Sequence, residues 1–146
     1  MSSAPLKLED FLPFRLSLTS NLVSARIAET YRAEFGLTMT QWRLMAVLGE
    51  RPGLTATELT QITALDKVAV SRAAAALTDR GLLKKQTKKE DGRRSALSLT
   101  QDGQHVYDEI IPRAVQSEAD LLAALPEDTR QHLVRALSIL SEKARS

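Results

Sequence analysis

Lys84, Lys85, Lys88, Lys89, Arg93 and Arg94 form the densest group of reactive or charged side chains in the sequence. Two acids and a glycine, Glu90, Asp91 and Gly92, sit inside the run, and the segments "LLKKQT" (82–87) and "SALSL" (95–99) flank it. Such a cluster attracts a polyanion by charge and by the release of that polyanion's counterions. Asp91-Gly92 is a hairpin signal, because glycine takes positive φ at no steric cost, and Asp91 can also hold a neighbouring guanidinium. The reading is two short strands joined by a basic turn.

Just upstream, "DKVAVSRAAAALTDRG" (66–81) predicts a helix capped by Asp66 and stopped by Gly81. Val70, Ala73, Ala74 and Leu77 fall within one narrow stripe and should pack inward. Val68, Ser71, Arg72, Ala75 and Asp79 point the other way, with Lys67 on the flank. A face of small residues punctuated by donors can lie close against a surface.

Charge is distributed to match. Residues 65–100 carry nine basic and four acidic side chains, between a neutral segment 1–64 and an acidic segment 101–146. A basic middle held by other elements points to a polyanion-facing module.

Those other elements read as helices. Asp10 to Phe35 is a long helix with Leu16, Val23, Ile27, Tyr31 and Phe35 at helical spacing and Gly36 suited to its end. Leu18, Leu22 and Ala25 give it a second apolar stripe, as in a helix shared between a core and a partner. Thr40 opens a second helix that runs to the turn "GERPG" (49–53), and Thr55 with Glu58 has capping-box spacing for a third. After the two strands, Thr100 caps "QDGQHVYDEIIPRAVQSEADLLAAL" (101–125), in which Pro112 predicts a kink. A last helix follows from Pro126, with Leu133, Leu137 and Leu140 on one face.

The fold class is therefore mainly α with a small β-hairpin wing, a winged helix-turn-helix. The physical logic is dimensional: a major groove admits the helix at 66–80, while the hairpin beside it reaches phosphates or the adjacent minor groove. Double-stranded DNA is the expected partner.

In the order and spacing of its motifs the sequence resembles the MarR family of ligand-responsive transcription regulators. The resemblance runs from the first helix through "FGLTMTQWRLMAVL", "LTATELTQITALDKVAVSRAAAALTDRGLL" and "KKEDGRRSALSLTQDG", with "VSR" at 70–72 and the wing element at Asp91-Gly92-Arg93. It implies one unit over 1–146, with a DNA-binding lobe at 38–100 and dimerisation helices at 9–36 and 101–146. It also implies a symmetric homodimer whose recognition helices lie roughly 34 Å apart, and hence a pseudo-palindromic operator. Carried onto this sequence, base-edge contact falls to Ser71 and Arg72, with Lys67 and Val68 as helpers. Arg93 matches the family's minor-groove arginine, and Arg94 is either its neighbour on phosphate or the tip residue itself. Lys88 and Lys89 are phosphate contacts or plain surface charge.

The resemblance further implies a small aromatic or anionic effector, such as a phenolic acid or an aromatic acyl-CoA, that releases a repressor from DNA. Arg15, Arg26, Trp42, Arg43 and His105 are the candidates for holding it, since an arginine beside an aromatic ring suits a carboxylated aromatic compound. The alternative leaves Trp42 in the core and the arginines solvated or paired with Glu29 or Glu34.

Other classes find no support. There are no cysteines, so a disulfide framework, a cysteine-based zinc site and a thiol switch are all excluded. His105 and His132 are too far apart for a local metal motif, and no glycine-rich phosphate loop or catalytic constellation stands out, so neither metal, cofactor nor enzyme activity is expected. With no apolar run of membrane-span length and no signal pattern, the chain reads as soluble and cytoplasmic. The rival within the same fold is an architectural or protein-docking winged helix that answers to no effector.

Overall fold

Capping chemistry sets most of the helix starts. In the computed structural model, which describes residues 4–87 and 95–146, Thr38 accepts from the Gln41 backbone N–H at 3.1 Å while the Gln41 side chain accepts from the Thr38 N–H. This capping box starts α3 (Met39–Glu50) from Thr38, two residues before the expected Thr40, because Gln41 lies three residues after Thr38 and so can close the box. Thr55 and Glu58 make the expected box at the start of α4 (Ala56–Thr63). Asp66 accepts from the Ala69 N–H at 3.0 Å and starts α5 (Lys67–Asp79).

The predicted helix over 10–35 is two helices. A short 3-10 turn at Leu8–Asp10 precedes α1 (Leu12–Ala28), and α2 (Arg32–Phe35) follows a break at 29–31. At the break the Thr30 hydroxyl donates to the Ile27 carbonyl at 2.6 Å, and Tyr31 leaves helical geometry at φ −136°. The gain is burial: Ala28 and Tyr31 both enter the core, where Tyr31 stacks on Trp42 with ring centroids 5.6 Å apart. Gly36 then takes φ 64° and ends α2.

β1 (Leu83–Thr87) and β2 (Ser95–Leu99) pair antiparallel, from Leu83 opposite Leu99 to Thr87 opposite Ser95. The proposed Asp91-Gly92 turn lies outside the described residues. Leu54 adds a bridge on the far side of β2: its carbonyl accepts from the Leu97 N–H at 2.7 Å while the Gly53 N–H donates to the Leu97 carbonyl at 2.9 Å, fastening the wing to the segment before α4.

α6 (Gln101–Leu122) continues as one helix through Pro112 and ends three residues before the expected Leu125. α7 (Glu127–Arg145) follows with no buried residue. The core gathers Leu44, Met45 and Leu48 of α3, Leu59 of α4, Val70 and Leu77 of α5, Leu83 and Leu97 of the wing, and Ile110 of α6. The first half of α6 thus belongs to the core of the winged helix as well as to the helical arm beyond it. This is a winged helix-turn-helix fold: mostly helical, with a two-stranded antiparallel hairpin.

Candidate nucleic-acid interface

α5 is anchored on one side and open on the other. Val70, Ala73, Ala74 and Leu77 are buried, while Lys67, Val68, Ser71, Arg72, Ala75 and Asp79 are exposed, as the periodicity predicts. Val68 is 54% exposed, and its methyl groups can meet another apolar group outside. Beside this face, α4 and α5 enclose a cleft of about 260 Å³ lined by Ala56, Thr57, Thr60, Gln61, Lys67 and Ser71. Thr57, Thr60 and Gln61 were not singled out from the sequence. They stand at helical spacing on the side of α4 away from buried Leu59, and that pattern could have found them. The last residues of α7 reach the same neighbourhood, where the Arg145 guanidinium donates to the Gln61 carbonyl at 3.4 Å.

On the wing, Lys84 and Lys85 of β1 are exposed and lie opposite Ser98 and Leu97. Lys88, Lys89, Asp91, Arg93 and Arg94 lie outside the described residues.

The five effector candidates do not converge on one pocket. Trp42 is only 9% exposed and sits between the rings of Tyr31 and Tyr107, so it is a core residue that joins α3 to α6. Arg43 donates to the Ser24 hydroxyl of α1 at 3.1 Å and lies close enough to Tyr31 to oppose the rise that burial imposes on its phenol pKa. Arg15 is exposed on α1, and His105 is exposed on α6 with its nearest acid, Glu109, 4.0 Å away. Arg26 borders an open cavity of about 610 Å³ between α1 and α6, shared with Glu29, Pro112, Arg113, Gln116, Ser117 and Asp120.

Arg113 was also missed, and it is the most connected charge on α6. It pairs with Glu34 of α2 and with Glu109 at 3.5 Å, and its guanidinium lies over the Phe35 ring, 5.6 Å from the centroid. The Arg113 guanidinium holds the Glu34 carboxyl below the usual carboxylate range. Among the described residues no group of three metal-ligating side chains comes together, and no helix is long and apolar enough to cross a membrane.

Residues 35–94 match the model of the MarR family, which spans α3 to β1. Whole-chain similarity extends this. A MarR/EmrR family transcriptional regulator from Acinetobacter sp. ADP1 superposes with a TM-score of 0.87 at 26% identity, covering 96% of this chain and 99% of that one. The PcaV transcriptional regulator from Streptomyces coelicolor, solved with its natural ligand, gives 0.82 at 23% identity over 97% and 99% of the two chains. BpsR from Bordetella bronchiseptica, whose DNA binding is regulated by 6-hydroxynicotinic acid, gives 0.82 at 22% identity over 94% and 98%. No curated protein matches the sequence.

Proposed function

We propose that the chain is a transcriptional regulator of the MarR family, as the match over residues 35–94 and the whole-chain likeness to the Acinetobacter regulator support, and that it is a cytoplasmic homodimeric repressor of a pseudo-palindromic operator, released by a small aromatic carboxylate or aromatic acyl-CoA. It acts by binding, as its family does, and not as an enzyme. The observation that carries the reading is the division of α5 into an anchored apolar face and an exposed face bearing Lys67, Val68, Ser71 and Arg72.

Ser71 and Arg72 read base edges in the major groove, Val68 meets a thymine methyl, and Lys67 supports them from the first turn. Lys88, Lys89, Arg93 and Arg94 hold phosphates and the adjacent minor groove, with Asp91 orienting an arginine. Thr57, Thr60 and Gln61 share the cleft with Lys67 and Ser71 and contact the backbone beside them.

Dimerisation is supported by α7, which buries nothing within one chain yet exposes Leu133, Val134, Leu137, Ile139 and Leu140. A single helix of that length is marginal by itself, and a partner that covers this stripe stabilises it. Leu8, Phe11, Leu12, Phe14 and Leu18 are also exposed at the N-terminal end and extend the apolar surface available to a second copy.

For sensing, Arg26 and Arg113 give the α1–α6 cavity the cationic donors that a carboxylate needs. Regulation of BpsR by 6-hydroxynicotinic acid, an aromatic carboxylate, accords with this class of effector. The test is a titration of aromatic acids and their CoA thioesters into a fluorescent complex of the protein with its operator. Release by one class at micromolar concentration supports the proposal, and retention of DNA against every compound at millimolar concentration removes the effector from it.

A further inference from the structure

The end of α5 and the middle of α6 are joined through α2. Arg80, which closes α5, donates from Nη2 to the Phe35 carbonyl at 2.6 Å and from Nη1 to the Gly36 carbonyl at 3.3 Å. Carbonyls at a helix C-terminus lack intrahelical donors, so a guanidinium fork fits them well. From the other side, Arg113 of α6 holds α2 by the Glu34 carboxylate and lies over the Phe35 ring. A four-residue helix is thus gripped by two arginines, one on the DNA-facing helix and one on the helical arm.

A second junction lies at the start of α6. The Thr100 hydroxyl donates to the Gly81 carbonyl at 2.6 Å and accepts from the Gly103 N–H at 3.0 Å, while the Thr100 N–H donates to the Leu82 carbonyl at 3.1 Å. One junction is a pivot. A second one, about 20 Å further along α6 at the helical rise per residue, fixes the angle at which α5 leaves it. The ring stack between them is less directional: the planes of Tyr31, Trp42 and Tyr107 lie 25° and 29° apart, and offset rings tolerate small slides.

We infer that Arg80 and Arg113 are positioning residues for DNA recognition: gripping α2 from its two sides, they brace α5 against α6 and set the angle at which the recognition helix meets the groove. The inference rests on the DNA-binding reading but assigns neither arginine a contact with DNA. Both are solvent-exposed, so their worth lies in orientation more than in global stability. Arg113 also lines the α1–α6 cavity, so an occupant of that cavity that draws on its guanidinium changes the brace, and the coupling is reciprocal.

The test compares the full-length wild type with Arg80→Gln, Arg113→Gln and the double variant, each first checked for an unchanged melting temperature within a few degrees. Each single variant is expected to bind the selected operator about 10-fold more weakly and random duplex equally well. The double is expected to be no weaker than the weaker single, because both changes break one brace. Arg80→Lys keeps a donor and should recover most of the loss. A salt dependence that falls by about one ion for Arg80→Gln would make Arg80 a phosphate ligand and overturn the inference, as would losses that multiply in the double variant. Amide exchange measured without DNA separates the two readings: Arg113→Gln should speed exchange at Arg80 and Gly81 as well as at Phe35 and Gly36. Unchanged exchange at Arg80 and Gly81 overturns the brace even if operator binding is weakened. Wild-type protein that selects no operator overturns the DNA reading, and the brace is then judged by exchange alone.

Discussion

Gly103 lies against the backbone of Leu82 so closely that a β-carbon at position 103 would overlap the Leu82 carbonyl oxygen. This contact seats the first turn of α6 on the start of the wing, next to the Thr100 bonds. The obstacle is backbone and cannot swing aside. Gly103→Ala is therefore expected to destabilise the fold by about 2 kcal/mol or more, despite the roughly 1 kcal/mol that alanine gains over glycine inside a helix. Urea unfolding measures it, and a variant more stable than wild type would mean that α6 is not seated here.

Arg72→Ala is expected to relax preference at one or two positions of each half-site, at about 1–3 kcal/mol per lost bidentate contact. Lys89→Ala should instead weaken all sequences alike and flatten the salt dependence by about one ion. Competition binding with single-base operator variants distinguishes the two patterns. Uniform losses from both variants would remove α5 as the reading element.

A charge in the exposed stripe of α7 should separate the subunits. Leu137→Glu places a carboxylate where a partner's apolar surface is expected, and the dimer dissociation constant should rise by 100-fold or more. Sedimentation velocity reads this directly. A variant that stays as dimeric as wild type at micromolar concentration would place the interface elsewhere.

The Glu34–Arg113 contact carries its own pH signature. Because Arg113 lowers the Glu34 pKa, the stabilisation is present above the pKa of the unfolded side chain, about 4.3. It is lost as pH falls through the lower folded value. Glu109 also faces Arg113, and His105 lies near Glu109, but neither replaces the Glu34 contact. Carboxyl carbon NMR should find Glu34 titrating below the usual range in wild type and close to it in Arg113→Gln. The same midpoint in both proteins would contradict the pairing.

Features set by residues three or four apart were legible in the sequence: the Thr55–Glu58 box, the Asp66 and Thr100 caps, and the two faces of α5. Gln41 three residues after Thr38 was equally readable, although Thr40 is the expected start in the sequence reading. The break at 29–31 was not legible, because Ile27, Tyr31 and Phe35 keep helical spacing, and only the pull of Tyr31 into the stack with Trp42 ends the helix. Trp42 itself matched a ligand-facing aromatic as well as a core one, and burial between two rings decided its surroundings. Arg80 meets the Phe35 carbonyl and Arg113 meets Glu34 across separations of 45 and 79 residues, which no local pattern encodes.

The central claim is that a dimer reads DNA sequence through α5, and selection from random duplex DNA at near-physiological salt tests it most directly. The expected result is an inverted repeat with half-sites about 10 base pairs apart, centre to centre. Tight, salt-sensitive binding that recovers no motif would contradict it and leave an architectural winged helix with a basic clamp.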